Sequence, residues 1–464
     1  MRRTEWQPLL ERTCALARAY LDGLPERPVA PRADAAAMLA ALDRPLPDAP
    51  GDPREVIEEL ARTVEPGLTA MPSGRFYGWV IGGGLPAAVA ADWLTTVWDQ
   101  NTGSGEGTPA AAAVEHVVLR WVADLLELPA RSGALVTGAQ MASFVGLAVA
   151  RTEVLRAAGW DVERDGLVGS PPLEVVVGAE RHGSIDKALR MLGIGTRQLR
   201  VVDVDRDGRM RPDRLELAGS APAIVCLQSG NVNGGGCDPL PALAERIAAA
   251  RAHRPIWVHL DGAFGLWARV APRRRALVDG AELADSWSTD AHKWLNTPYD
   301  CGIALVRDAE AHRRTFRGGA AYLPGDVAVR NPFDHAPELS RRARGFAVWA
   351  ALRELGRRGL AELVERSCTL AELFGRELAK LPGVEVMNDV VLNQLVVRFG
   401  NDDAHTRAVI ARVIASGECY PTSTTWRGVA AMRISVSNWS TDEDDVHRSV
   451  AAIRAAAAEA PRGG

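Results

Sequence analysis

Lysine is almost missing from this chain. Of 54 basic side chains only Lys187, Lys293 and Lys380 are amines, and every other one is arginine. An amine can shed its proton, attack a carbonyl and become an imine, which a guanidinium cannot do at ordinary pH. Imine chemistry, if there is any, therefore falls to one of three positions. Paired cysteines are also missing. Cys14, Cys226, Cys237, Cys301, Cys368 and Cys419 lie far apart with no Cys-x-x-Cys spacing, which argues against a disulfide framework or a zinc knuckle and fits a reducing, cytoplasmic setting. No run approaches the ~18 uncharged apolar residues of a membrane span, and residues 1–50 hold no apolar stretch behind basic ones. Neither a membrane protein nor an export signal is expected. A net charge of -4 and a pI near 6.2, with arginines scattered among acids, leave no footprint for nucleic acid.

What is present, 47% hydrophobic and 24% charged residues over 464 positions, suffices for a large core in two or three units. Residues 1–74 read as a thin helical arm, with helical patterns at 5–24, 33–42 and 54–64 around a proline-rich link. Arms of this kind wrap a partner subunit or the main domain. Residues 75–345 read as the large domain. Its β-branched runs at 134–136, 173–177, 200–204, 223–227, 256–260, 283–288 and 302–306 are mostly separated by helical stretches, among them 141–156, 184–192, 211–218 and 240–251. This alternation predicts an α/β fold, a mostly parallel seven-stranded sheet between helices. Residues 346–464 read as a smaller α+β domain, with strands near 384–387, 394–399 and 432–436 behind long helices at 338–355 and 360–381. In parallel sheets ligands sit beyond the C-terminal strand ends, so chemistry is sought there.

Four such ends carry suitable residues. After the first run, Thr137-Gly138-Ala139-Gln140 opens a small-residue helix whose free amides can seat an anion. After the second, His182 offers a flat imidazole, which in the bland reading is a helix cap or surface residue. The run Ile256-Trp257-Val258-His259-Leu260-Asp261 ends in a buried aspartate followed by small residues, Ala263 among them, and a buried carboxylate needs a cation. Lys293 follows the strand-like run 283–288, between His292 and Trp294. Lys187 and Lys380 instead lie in amphipathic helices, where lysine is ordinarily a solvated charge. Ahead of these, Phe76, Tyr77 and Trp79 meet the glycine turn Gly82-Gly83-Gly84 and are candidate walls of a substrate pocket, which points to an aromatic or apolar substrate.

An amine for an aldehyde, an anion seat, a flat residue and a carboxylate for a pyridine nitrogen are what pyridoxal 5'-phosphate requires. The order of these pieces and the string Asp290-Ala291-His292-Lys293-Trp294-Leu295 resemble the fold-type I pyridoxal-phosphate enzymes. Within these they resemble the group II amino-acid decarboxylases, the family of aromatic-amino-acid, glutamate and tyrosine decarboxylases. The resemblance spans roughly residues 70–450. It implies that Lys293 holds the aldehyde, Asp261 pairs with the ring nitrogen and His182 stacks on the ring, these three being the catalytic set. It further implies that Gly138, Ala139, Gln140, His292, Ala263 and Ser340 complete the cofactor site, and that Arg433, in Met432-Arg433-Ile434-Ser435, takes the substrate carboxylate. A lyase that decarboxylates an amino acid, working as a homodimer with shared sites and no metal, is the implied protein.

Two departures stand out. Relatives use a loop tyrosine to return a proton to Cα, and the corresponding stretch, residues 323–337, holds none. Phe333 occupies the place, and a phenyl ring donates no proton, which leaves His335 or water for the step. An aldehyde synthase or an aldolase-type enzyme on the same fold is therefore the alternative outcome. The second departure is Asp290, where many relatives carry Asn and where a carboxylate near a phosphate has to point away or be neutralised. Two distant readings are a metal hydrolase using His259, Asp261, Asp290 and His292, which leaves Lys293 unused, and a non-catalytic protein that keeps the fold as a binding module.

Overall fold

The computed structural model describes residues 6–317 and 330–461. Three helices open it, α1 (Trp6–Asp22), α2 (Ala35–Leu42) and α3 (Pro53–Val64), and none of them contains a buried residue. Asp34 and Asp52 cap the second and third by accepting from backbone amides two or three residues ahead.

The strands of the main sheet are β1 (Ser132–Val136), β2 (Glu174–Gly178), β3 (Leu199–Val202), β4 (Ala223–Gln228), β5 (Ile256–Asp261), β6 (Ser286–Asp290) and β7 (Gly302–Val306). Their order among the described residues is β1-β7-β6-β5-β4-β2-β3. Strands β2 to β6 pair in parallel, and β7 runs antiparallel to both β6 and β1. The strands at the middle of the sheet are buried along their whole length, as expected when helices cover both faces. Those helices are α4 (Pro86–Trp98), α5 (Pro109–Leu125), α6 (Ala139–Ala157), α7 (Val162–Asp165), α8 (Gly183–Met191), α9 (Leu240–Arg251) and α10 (Ala309–Phe316). Helix α6 is apolar on nearly every side because it is enclosed, lying on β5, β6 and β7 with α8 beside it.

Helix α11 (Gly345–Leu378) leads into a second sheet, β10-β11-β9-β8, wholly antiparallel, with β8 (Val384–Val386), β9 (Gln394–Phe399), β10 (Thr422–Trp426) and β11 (Val429–Ser435). Helices α12 (Asp403–Ser416) and α13 (Glu443–Glu459) cover it, and a separate core forms around Phe374, Leu395, Phe399, Ile434 and Val446.

The predicted α/β architecture is present, with local differences. The two long helices expected at 338–355 and 360–381 are the two segments of α11, separated at Gly356, whose φ of +58° lies outside the helical region, and the first of them starts at Gly345, later than expected. The helix expected at 211–218 shrinks to the turn Pro212–Arg214. Leu215 leaves the helical region there to bury its side chain in the main core, and a helix that short has little stability of its own to oppose this. Strand β6 starts later than expected, because Ala281–Leu283 forms a turn after Gly280 at φ +90°. The later start carries β6 to Asp290, which leaves Lys293 three residues beyond the strand.

Candidate active site

All four motifs end up at one edge of the main sheet, beyond the C-terminal ends of β1, β2, β5 and β6. Lys293 sits on the turn after β6, its side chain largely buried, with Nζ 3.0 Å from Asp290 Oδ2. Asp290 Oδ1 accepts from the Ala139 amide at 2.6 Å and stands 3.5 Å from His292 Nε2. The neutralisation anticipated for Asp290 is thus supplied by an ammonium and a helix-start amide. Ala139, expected to donate to a phosphate, spends its amide on this carboxylate. The amides of Gln140 and Met141 behind it have no acceptor among the described residues, so the anion seat at the start of α6 lies one residue further on than expected. Gly138 keeps that seat open, because a Cβ there would come 3.3 Å from His292 Cε1.

His292 is fixed from two sides. Its Nδ1 accepts from the Cys301 amide at 3.1 Å, and its ring stacks on Tyr299 with centroids 4.2 Å apart. Burial lowers its proton affinity, with Asp290 pulling the other way. Tyr299 was not foreseen from the sequence, where a lone tyrosine five residues after Trp294 gives no pattern to read. Its phenol is pushed up to about 12 by burial and by Asp290.

Asp261 ends β5. Its Oδ1 accepts from the Ala263 amide at 3.2 Å and from Ser288 Oγ at 3.4 Å, while Oδ2 makes no hydrogen bond among the described residues. Burial raises its pKa, opposed chiefly by His182 and then Lys293. His182 caps α8, with Nδ1 accepting from the Ser184 amide and facing the Ser184 hydroxyl at 2.7 Å. Its ring is accessible on one side, yet the protein around it lowers its pKa, followed by opposing contributions from Asp261 and Lys293 and a further one from Arg433. His182, Asp261, Lys293 and Arg433 thus share one electrostatic environment.

Arg433 on β11 reaches this crevice from the small sheet. It is buried, and it donates to Thr422 Oγ1 at 3.3 Å and to the Val232 carbonyl at 3.4 Å. No carboxylate lies within salt-bridge distance of it among the described residues. The aromatic segment divides. Phe76 stacks on Tyr420 at 5.3 Å, and Trp79, half-exposed, leans on both rings. Tyr77 points the other way, into the small-sheet core, edge-on to Phe374 with its hydroxyl on Ser449. This corrects its assignment as a pocket wall, since alternate residues of an extended segment face opposite sides. The glycine turn passes directly over the lysine. A Cβ at Gly82 would come 1.9 Å from the Lys293 carbonyl oxygen.

Two further candidates lie apart from this cluster. Ser340 is exposed on the segment ahead of α11, and no contact among the described residues joins it to Asp290, His292 or Lys293. His335 is buried, its Nδ1 on the Asn331 carbonyl and its own carbonyl on His312, and burial pushes its pKa down to about 2. It is a member of a packed network and a poor proton donor. Phe333 is buried beside Gly103. Residues 323–329 of the expected loop, and Tyr322 just ahead of it, lie outside the described residues.

The residues present fit pyridoxal phosphate on three counts: an amine and a carboxylate with a spare oxygen share one crevice, and two helix-start amides of α6 have no acceptor among the described residues. A protein-family model described as the pyridoxal-dependent decarboxylase conserved domain matches residues 36–399. An aromatic-L-amino-acid decarboxylase of Bacillus atrophaeus is 26% identical over 392 residues, covering 82% of this chain and 78% of its own length. A phenylacetaldehyde synthase of Arabidopsis thaliana is also 26% identical, covering 86% and 85%. Among solved structures, Oryza sativa TDC with PLP and tryptamine superposes with a TM-score of 0.90 at 25% identity, over 98% of this chain and 97% of that one.

Proposed function

The chain belongs to the pyridoxal-dependent decarboxylase family and is a carboxy-lyase that uses pyridoxal 5'-phosphate; from this premise we propose that it decarboxylates an L-amino acid with an aromatic or apolar side chain. When bound, the cofactor supplies an electron sink that lets the bond from Cα to the carboxylate break. Lys293 would hold the cofactor's aldehyde carbon, and Asp261 would keep a proton on the ring nitrogen through the oxygen that no described residue engages. His182 would lie against the ring, and Gly138, the Gln140 amide and His292 would hold the phosphate. The Ala263 amide steadies Asp261.

The observation that carries the substrate class is Arg433, a buried cation without a counter-ion among the described residues, close to an aromatic pair. It donates to Thr422, two residues along the chain from Tyr420, whose ring meets that of half-exposed Trp79 and covers Phe76, which is itself fully buried and so, contrary to expectation, is no direct pocket wall. A carboxylate on the guanidinium would place an aromatic or aliphatic side chain against those rings. Borohydride reduction followed by peptide mass spectrometry should trap the cofactor on Lys293, and product analysis across the amino acids should favour apolar and aromatic ones. Reaction with acidic amino acids alone would overturn the substrate class.

Aldehyde formation is the second reading, supported by Phe333 and by the likeness to a phenylacetaldehyde synthase. It consumes dioxygen and releases ammonia and hydrogen peroxide with the carbon dioxide. Equal yields of amine and carbon dioxide under air, with no peroxide, exclude it. A homodimer is supported by surface chemistry. Helix α4 exposes Trp93, Leu94, Val97 and Trp98, and α1 to α3 leave Trp6, Leu10, Leu39 and Leu60 exposed, more apolar surface than a monomer usually shows. Val97→Arg should halve the mass seen by analytical ultracentrifugation. Among the described residues no helix is long and apolar enough to cross a membrane.

A further inference from the structure

Strands β5 and β6 carry a short polar ladder on the face that meets α6. Its rungs are His259 opposite Ser286 and Asp261 opposite Ser288. At the first rung His259 Nδ1 lies 2.9 Å from Ser286 Oγ, which also accepts from Trp257 Nε1. Gly146 of α6 presses on that imidazole so closely that a Cβ would come 2.7 Å from Nδ1. At the second rung Ser143, one turn earlier on α6, donates to Ser288 Oγ at 3.0 Å, and Ser288 donates on to Asp261 Oδ1. Both serines are completely buried. Nothing in the roles given to Lys293, His182 or Arg433 uses these hydroxyls. The apolar packing of α6 on the sheet does not need them either, since alanines in their places would leave no buried polar group to satisfy.

We infer that Ser288, backed by Ser143, is a positioning residue: it fixes the carboxylate of Asp261 in the orientation that grips the ring nitrogen and ties that grip to the anion seat at the start of α6. The inference rests on the assignment of Asp261 to the ring nitrogen. Its logic is geometric. With Oδ1 held by the Ser288 hydroxyl and the Ala263 amide, the carboxylate cannot rotate, so Oδ2 faces the crevice. Ser143 stands one turn into the helix whose Gln140 and Met141 amides have no acceptor among the described residues, so the chain Ser143–Ser288–Asp261 anchors the carboxylate to the start of α6. The Ser288 link also favours the charged carboxylate over its protonated form, because its hydroxyl donates to it, and Ser143 acts on it only through Ser288.

The test compares cofactor binding with that of an analogue. Apoprotein is titrated with pyridoxal phosphate and with its 1-deaza analogue, in which carbon replaces the ring nitrogen, and dissociation constants are read from quenching of tryptophan fluorescence. For Ser288→Ala the expected result is about tenfold weaker binding of pyridoxal phosphate with the analogue unchanged. Ser143→Ala should show the same selectivity with a smaller loss, and Ser288→Thr, which keeps the hydroxyl, should restore binding. Equal weakening of both ligands, or no weakening of either, overturns the inference. Should Ser288→Ala fail to fold, Ser143→Ala decides alone. Asp261→Asn serves as the control. If it discriminates between the ligands while the serine variants do not, the positioning role fails and the assignment of Asp261 survives. If it does not discriminate, the assignment itself falls.

Discussion

The main sheet buries charge at both ends, and it does so in opposite ways. Near the start of β1, Glu115 lies between Arg341 at 3.1 Å and Arg330 at 3.5 Å, and both guanidiniums also reach backbone carbonyls, Arg341 to Thr102 and Leu135 and Arg330 to Gly133. His312 joins Ser132 to His335 in the same region. At the other end, Arg433 meets no carboxylate and one oxygen of Asp261 meets no donor among the described residues. A cavity of about 950 Å³ opens beside the first network, lined by Arg330 and His335 among others. Its size does not make it the reaction site, because those two groups already have partners. An unbalanced buried charge is costly to fold, so a protein that keeps one has a use for it that folding alone does not supply. Around Glu115 every charge is paired within the fold; at the other end Lys293 is paired with Asp290, while Arg433 and one oxygen of Asp261 have no partner among the described residues that would balance their charge.

The sharpest way to break this contrast is to remove one group from each end. Lys293→Ala should lower turnover by more than about a thousandfold, because no other amine is within reach to hold the cofactor, with a smaller loss of stability than at the other end, because Asp290 loses its ammonium but keeps the Ala139 amide. Glu115→Ala should do the reverse, costing about 3–5 kcal/mol of stability by stranding two buried guanidiniums, with kcat retained at low temperature. Denaturant titration beside steady-state kinetics separates the two. If Lys293→Ala unfolds the chain, the open end is structural after all.

Arg433→Met sharpens the comparison from within the site. Replacing an unpaired buried cation by an apolar side chain of similar length should leave the melting temperature unchanged or higher, while KM rises about tenfold, about 1.4 kcal/mol of lost binding. A fall in stability with KM unchanged would show that the guanidinium has a structural partner.

Histidines give a pH version of the same test. Burial pushes the pKa of His259 and His312 down to about 3 and of His335 to about 2, while an unfolded histidine titrates near 6.5. Since the unfolded chain binds the proton and the folded one refuses it, these residues contribute fully above about pH 6.5. Their contribution drains as the pH falls toward 3, at up to about 1.4 kcal/mol per pH unit each. Urea titrations at pH 7, 6 and 5 should show His312→Asn with a shallower loss than the parent by about that slope. An identical slope would mean that His312 is already charged when folded.

Much of this was legible in advance, for physical reasons that differ by residue. Lysine's scarcity singled out Lys293, and the apolar run before Asp261 announced burial, so both could be placed at strand ends. Tyr77 was misread as a pocket wall because nothing local shows which side of an extended segment a ring takes; the small-sheet core decided it. Strand β10 was missed. Its Thr-Ser-Thr-Thr-Trp run pairs with β11 through contacts that a linear pattern does not display. Ser143 and Ser288, 145 positions apart, meet only because α6 lies across β6. His335 looked available as a proton donor until its partners, Asn331 and His312, came into view.

Lys380 closes the comparison at its weakest point. It lies on the surface, its ammonium 2.7 and 2.8 Å from the two carboxylate oxygens of Glu377 three residues earlier. Like Arg341 it is paired, but in water, where side-chain entropy and screening cancel most of the attraction. Lys380→Ala should therefore change stability by less than about 0.5 kcal/mol and leave kinetics untouched, although the contact is shorter than any made by Arg433. If burial and the absence of a partner mark a functional cation, contact length is the wrong guide, and denaturation of this variant beside Glu115→Ala measures by how much. A loss of more than about 1 kcal/mol at Lys380, beyond what exposed pairs usually give, would mean that pairing matters wherever it occurs. The two ends of the sheet would then differ in degree only.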